Sequence, residues 1–202
     1  MKKIILVILL SPALIFSQES LSDLSQLRSD ISKYGLDTIK CEENLSIYTE
    51  FYKQKSYDSA LESWLYLFVN APKRTKNIYT QGATMFKFFI KNELDSIKKE
   101  GLIDDLLTIY DYRNHYYPGQ EGLVLGYKGS DLYKHRKSSL SSVEAAYNIL
   151  ANSFSIDKEK SSARALNYYF ASGAKLTSKK IFSKEQLIDL FSELSSVIEY
   201  KE

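Results

Sequence analysis

Few side chains in this chain are typed and spaced for chemistry. His115 and His135 are the only histidines and Cys41 the only cysteine, so no metal-ligand spacing arises. No HExxH, GxSxG or P-loop motif occurs. Gly122, Gly126 and Gly129 do not form GxGxxG; glycines at i and i+4 instead suit close helix contact. Asp104 and Asp105 are adjacent, and neighbours diverge on a helix, so an exposed helix face is expected rather than an acid–base pair. The stretch from Tyr110 to Gly119 is dense in tyrosine and polar groups. It could be a binding loop. A helix end whose tyrosines cover the next element is the favoured reading. No catalytic, metal or cofactor site is expected.

A different chemistry recurs in three places. An aromatic residue is followed by lysine at Tyr52-Lys53, Phe86-Lys87 and Tyr133-Lys134. Rings stack and ammonium groups pair with carboxylates, so such a set on one surface could hold a peptide. The alternative is that these lysines simply solvate their helices.

The composition bounds what can position these groups. The chain has 202 residues, 44% hydrophobic, 26% charged and 13% aromatic. That is ample for a core without disulfide or metal staples. There are 27 Lys or Arg and 25 Asp or Glu. Lys2 and Lys3 account for the whole excess, so no basic nucleic-acid footprint is visible. Eight glycines and three prolines favour helices over a turn-rich β architecture.

Residues 1–17, MKKIILVILLSPALIFS, have a positive start, a short apolar run and small Ser17 before Gln18-Glu19. The pattern reads as a secretory signal peptide, with an uncleaved N-terminal anchor as the alternative. No cysteine follows the run closely, and no later segment is apolar enough to be transmembrane. Cys41 is expected to be buried and inert. Residues 18–40 are Ser-rich and read as a mobile lead-in or a short helix.

The remainder shows helical periodicity. Tyr57, Ala60, Leu61, Trp64, Leu65 and Phe68 mark one face of a helix from Tyr57 to Val69, which Pro72 follows. Further helices are expected at Glu43 to Gln54, Asn77 to Asn92, Leu102 to His115, Gln120 to His135, Val143 to Phe154, Ala163 to Leu176 and Glu185 to Tyr200. The run from Lys91 to Glu100 reads as a solvated loop or helix start. Ser141 with Glu144, and Ser183 with Gln186, have capping-box spacing. The short breaks imply an all-α fold of eight helices in four antiparallel pairs.

Residues 41–74, CEENLSIYTEFYKQKSYDSALESWLYLFVNAPKR, span 34 residues. Phe51, Tyr57-Asp58, Ala60, Trp64 and Pro72 fall where a tetratricopeptide (TPR) repeat places its aromatic, helix-opening, small and terminal proline residues. The segment resembles that family. Asn44, Tyr48 and Leu67 depart from its pattern. A second unit, 75–119, keeps Gly82 and Met85 in the small and aromatic slots but has a long turn. A third, 120–157, keeps Gly129. A fourth, 158–202, matches only as a helix pair. With the leader, the chain is similar to exported TPR proteins of Bacteroidota.

The resemblance implies a right-handed superhelical solenoid with a concave groove lined by the first helix of each pair. It places Thr49, Tyr52, Lys53, Tyr79, Phe86, Lys87, Ser130, Tyr133 and Lys134 on that wall. The expected role is a non-catalytic scaffold or adaptor of the cell envelope, binding a protein or peptide. It would lie in the periplasm, or at the outer membrane as a subunit of a larger assembly. A glycan- or nutrient-binding accessory protein using the same tyrosines is the alternative.

Overall fold

A computed structural model describes residues 20–21 and 30–199. The expected leader, 1–17, lies outside the described residues. Among the described residues, eight longer α-helices follow one another: α1 Thr38–Lys53, α2 Tyr57–Asn70, α3 Asn77–Asn92, α4 Ser96–Tyr116, α5 Glu121–Arg136, α6 Leu140–Asp157, α7 Ala163–Ser178 and α8 Lys184–Glu199. A 3-10 turn, Lys158–Lys160, joins α6 to α7. No strand occurs among the described residues. No helix among them is long and apolar enough to cross a membrane. The helices pack as neighbouring pairs, α1 on α2, α3 on α4, α5 on α6 and α7 on α8.

Local chemistry explains the helix starts. Asp37 caps α1 by accepting from the Lys40 N–H at 3.0 Å. Asp95 caps α4 by accepting from Ile97 and Lys98, each at 2.9 Å. Each satisfies donors that a first turn otherwise leaves open. Asp95 also moves the start of α4 ahead of the expected Leu102, absorbing most of the polar run into helix. At α8 the capping box forms in both directions: Ser183 Oγ accepts from the Gln186 N–H at 3.2 Å, and Gln186 Oε1 accepts from the Ser183 N–H at 2.8 Å. The box expected from Ser141 and Glu144 is displaced. α6 begins at Leu140, and Ser139 is its cap, accepting from the Ser142 N–H at 3.3 Å.

The first helices of successive pairs run side by side in the same direction. Glu42 of α1 binds Arg74, just before α3, and Tyr48 of α1 donates to Gln81 of α3. These contacts are 32 and 33 residues apart in sequence. Lys76, at the start of α3, meets Gln120 at the start of α5, and Lys87 of α3 meets Asp131 of α5; both steps are 44 residues. A Cβ on Gly126 of α5 would touch Ala165 of α7, and Tyr133 of α5 donates to Ala171 of α7. A sequence offset that stays nearly constant along two helices means that they are parallel. The architecture is thus compatible with a helical repeat whose second step is lengthened.

Close approach is bought with small residues at the contacts. A Cβ on Gly82 would lie 2.6 Å from Trp64 of α2, one on Gly129 2.6 Å from Leu150 of α6, and one on Gly173 2.6 Å from Leu190 of α8. The glycines of α5 therefore serve helix contact, as their spacing suggests.

Apolar packing forms two clusters. One runs from Leu21 to Val124 and centres on Trp64, Phe68, Tyr79 and Phe86; the other joins α6, α7 and α8 through Leu150, Tyr169 and Leu190. Tyr112 stacks on Phe68 of α2 and Tyr116 on Tyr79 of α3, so these two cover the preceding pair and their own partner helix, and it is Tyr110, stacked on Tyr127 of α5, that covers the next element as expected. Cys41 is buried, and burial pushes its thiol pKa up. One expectation is corrected. Asp105 is buried rather than on an exposed face, and it accepts from the Leu21 N–H at 2.8 Å. Leu21 and Ile31 of the lead-in are themselves buried, so these two residues belong to the core.

Candidate functional site

The parallel first helices bring charged side chains from three pairs to one point. Asp131 of α5 is 1% exposed as a side chain. Its Oδ2 accepts from Tyr110 Oη of α4 at 2.6 Å and pairs with Lys87 Nζ of α3 at 3.0 Å. Its Oδ1 accepts from a guanidinium nitrogen of Arg164 on α7. One carboxylate thus ties four helices together.

Aromatic rings frame the two cations. Lys87 Nζ sits 5.7 Å from the Tyr110 ring centre. The Arg164 guanidinium sits 5.8 Å from the Tyr127 ring and 5.9 Å from the Tyr168 ring. Those distances allow cation–π attraction. The cations stay about one-third exposed, at 34% for Lys87 and 35% for Arg164. Two cations around one carboxylate leave one positive charge in excess, presented to solvent on this face.

The titration of these groups follows from the geometry. Burial works to raise the Asp131 pKa, but Lys87, the Tyr110 hydrogen bond and Arg164 together hold it below the ordinary carboxylate value. Burial first, then the Asp131 charge, pushes the Tyr110 phenol up. Next on α5, burial lowers the His135 pKa, and no hydrogen bond meets its Nε2 among the described residues. The Nε of buried Arg113 and the Oγ of buried Ser130 are likewise unmatched there. No group of three or more His, Cys, Asp or Glu that could hold a metal occurs among the described residues.

The side chains expected on the groove wall divide. Lys53 and Lys134 are exposed, and Thr49 is half-buried. Tyr52 is half-buried, 5.5 Å from Tyr57. Tyr133 is half-buried, donates to the Ala171 carbonyl at 3.2 Å and tilts against Tyr168. Tyr79, Phe86 and Ser130 are fully buried and line no surface. Tyr79 donates to the Pro72 carbonyl at 2.9 Å, and Phe86 packs on Trp64 and Phe89.

The three aromatic–lysine pairs are also out of register. The 44-residue step makes Ser130 and Asp131 the counterparts of Phe86 and Lys87, with Tyr133-Lys134 about a turn beyond. The 33-residue step from α1 to α3 sets Tyr52 opposite Met85 rather than Phe86. Only Lys87 of the expected ladder enters the charged cluster. Asp131, Arg164, Tyr110, Tyr127 and Tyr168 complete it. The 44-residue step that relates them cannot be inferred from a 34-residue motif.

No protein-family model, curated protein or solved structure matches the chain.

Proposed function

We propose that this protein is a non-catalytic interaction scaffold, a divergent tetratricopeptide array with a right-handed turn, that holds a protein or peptide across its first helices. The observation that carries this is the shared direction of those helices. The paired contacts at constant offset place α1, α3, α5 and α7 side by side. Half-exposed Tyr52, Lys87, Tyr133, Arg164 and Tyr168 then belong to one continuous surface. An extended segment laid across parallel helices meets each helix once. The leader-like 1–17 segment supports a role in the periplasm or at the outer membrane, as a subunit of an envelope assembly.

Site-specific photocrosslinking tests the reading. A crosslinker replaces exposed Thr84 on α3 in one variant and exposed Glu62 on α2 in another, in the full chain expressed in its envelope. A discrete protein adduct is expected from position 84 and none from position 62. Adducts from position 62 alone, or none from 84, would overturn the reading. The half-exposed Tyr133–Tyr168 ring pair also suits a sugar face; an adduct removed by glycosidase would select that alternative.

A further inference from the structure

Charge is not spread evenly over the two sets of helices. α3, α5 and α7 contain seven Lys or Arg against two acids, Glu121 and Asp131. α3 and α7 contain no Asp or Glu at all. The second helices α2, α4, α6 and α8 contain twelve Asp or Glu against four Lys or Arg. A chain that is nearly neutral in total is therefore basic along three first helices and acidic along the second ones. Lys128 pairs with Asp111 of α4 and Arg136 with Glu100 and Asp104 of α4, so the first-helix cations not matched to a second-helix acid are Lys87, Lys91, Lys134, Arg164 and Lys175, and these are the ones that attract an anionic partner.

An apolar contact point borders the same face. Phe88 of α3 is 42% exposed. Its ring stands edge-on to half-buried Tyr57 at 5.1 Å, and Tyr57 in turn tilts against Tyr52. Exposed Lys53 and Lys91 neighbour these rings in sequence. Phe88 follows Lys87 directly, a rotation of about 100° around α3 that turns the ring toward Tyr57 of α2 while Lys87 faces Asp131 of α5. A segment that wraps partway round α3 meets both an unbalanced cation and an exposed ring.

We propose that the partner presents an acidic segment of protein chain containing an aromatic side chain. Its carboxylates meet the outward donors of Lys87 and Arg164, and its ring packs on Phe88 and Tyr57. Asp131 pairs with both cations from the buried side. The inference rests on the scaffold reading and specifies its partner.

The test uses fluorescence anisotropy with the full chain and labelled polymers: a glutamate–tyrosine copolymer, poly-L-glutamate, poly-L-lysine and dextran sulfate. The copolymer is expected to bind about tenfold tighter than poly-L-glutamate, the scale of one added aromatic contact. Phe88→Ser should abolish that preference while leaving poly-L-glutamate binding unchanged. Lys91→Glu with Lys134→Glu, both at exposed positions outside the charged cluster, should weaken both acidic polymers about tenfold and flatten their salt dependence. Glu62→Lys on α2 should change neither. Absence of binding by the acidic polymers, or equal binding of poly-L-lysine, overturns the inference. So does a copolymer preference that survives Phe88→Ser. Dextran sulfate binding as tightly as the copolymer overturns the assignment to protein chain. If position 84 crosslinks a partner while the acidic polymers fail to bind, the scaffold reading stands and this inference alone falls.

Discussion

The indole of Trp64 fills the space that a side chain at position 82 would need. A Cβ on Gly82 would lie 2.6 Å from Trp64 Cζ2. The ring cannot retreat cheaply, because Trp64 Nε1 donates to the Ile78 carbonyl at 2.7 Å and the ring stacks on Phe68. Gly82→Ala should therefore destabilise the fold by about 1–3 kcal/mol, the usual cost of overpacking. Gly101 is the control. It lies inside α4 with nothing within 4 Å of an added Cβ. Gly101→Ala should stabilise by about 0.5–1 kcal/mol through helix propensity. Urea denaturation of both variants checks the opposite signs.

The Asp131 cluster should make the protein acid-sensitive. The folded-state pKa of Asp131 lies below its unfolded value. Its contribution is thus fully present above the unfolded pKa of about 3.9 and lost as pH falls through the folded one. Asp131→Asn should cost about 2 kcal/mol at neutral pH, since Lys87 and Arg164 lose their partner while staying partly solvated. The variant should also show a shallower loss of stability below about pH 4. Thermal melts between neutral and strongly acidic pH read both effects; parallel pH profiles for the two proteins would contradict them.

His135 should act in a higher window. Burial lowers its folded pKa, so the unfolded chain takes up the proton first. Stability is then greatest above the unfolded value of about 6.5 and declines as pH drops from there toward the folded pKa. Lys134, Lys87 and Lys99 oppose the imidazolium and only Asp131 favours it. His135→Gln should remove the decline that sets in below about pH 6.5 while leaving the steeper loss below about pH 4 in place. NMR titration of the imidazole, paired with melts, separates the two transitions.

What could be read from residue order was whatever repeats within a turn or two of helix. The faces of α2 and α3 and the Ser183 box all follow from local spacing or composition. Register between helices was not legible. The 44-residue step from α3 to α5 depends on how far Asp95 extends α4 backwards, which no apolar pattern signals. Missing that step placed Phe86 and Tyr133 on equivalent surfaces, although one is buried and the other half-buried. It also hid Asp131, an acid whose neighbours in the same helix include basic residues. Asp105 was misread for a related reason. It accepts from a backbone N–H 84 residues earlier, in a stretch that reads as a mobile lead-in or a short helix.

That partner supplies the last expectation. Leu21 is fully buried in the first apolar cluster, and its N–H satisfies the buried Asp105 carboxylate at 2.8 Å. A buried carboxylate that loses a donor is penalised, so the two residues are coupled. Leu21→Ala leaves the backbone donor in place but opens a cavity, and should destabilise by about 2–4 kcal/mol. Asp105→Asn keeps the shape and the acceptor oxygen while removing the charge, and should cost less, about 1 kcal/mol. Their effects should fall short of additive, because a loosened Leu21 no longer needs its acceptor. Chemical denaturation of the two single variants and the double variant gives the coupling directly. Additive losses, or a Leu21→Ala variant as stable as the parent, would mean that this N-terminal residue is not held by α4.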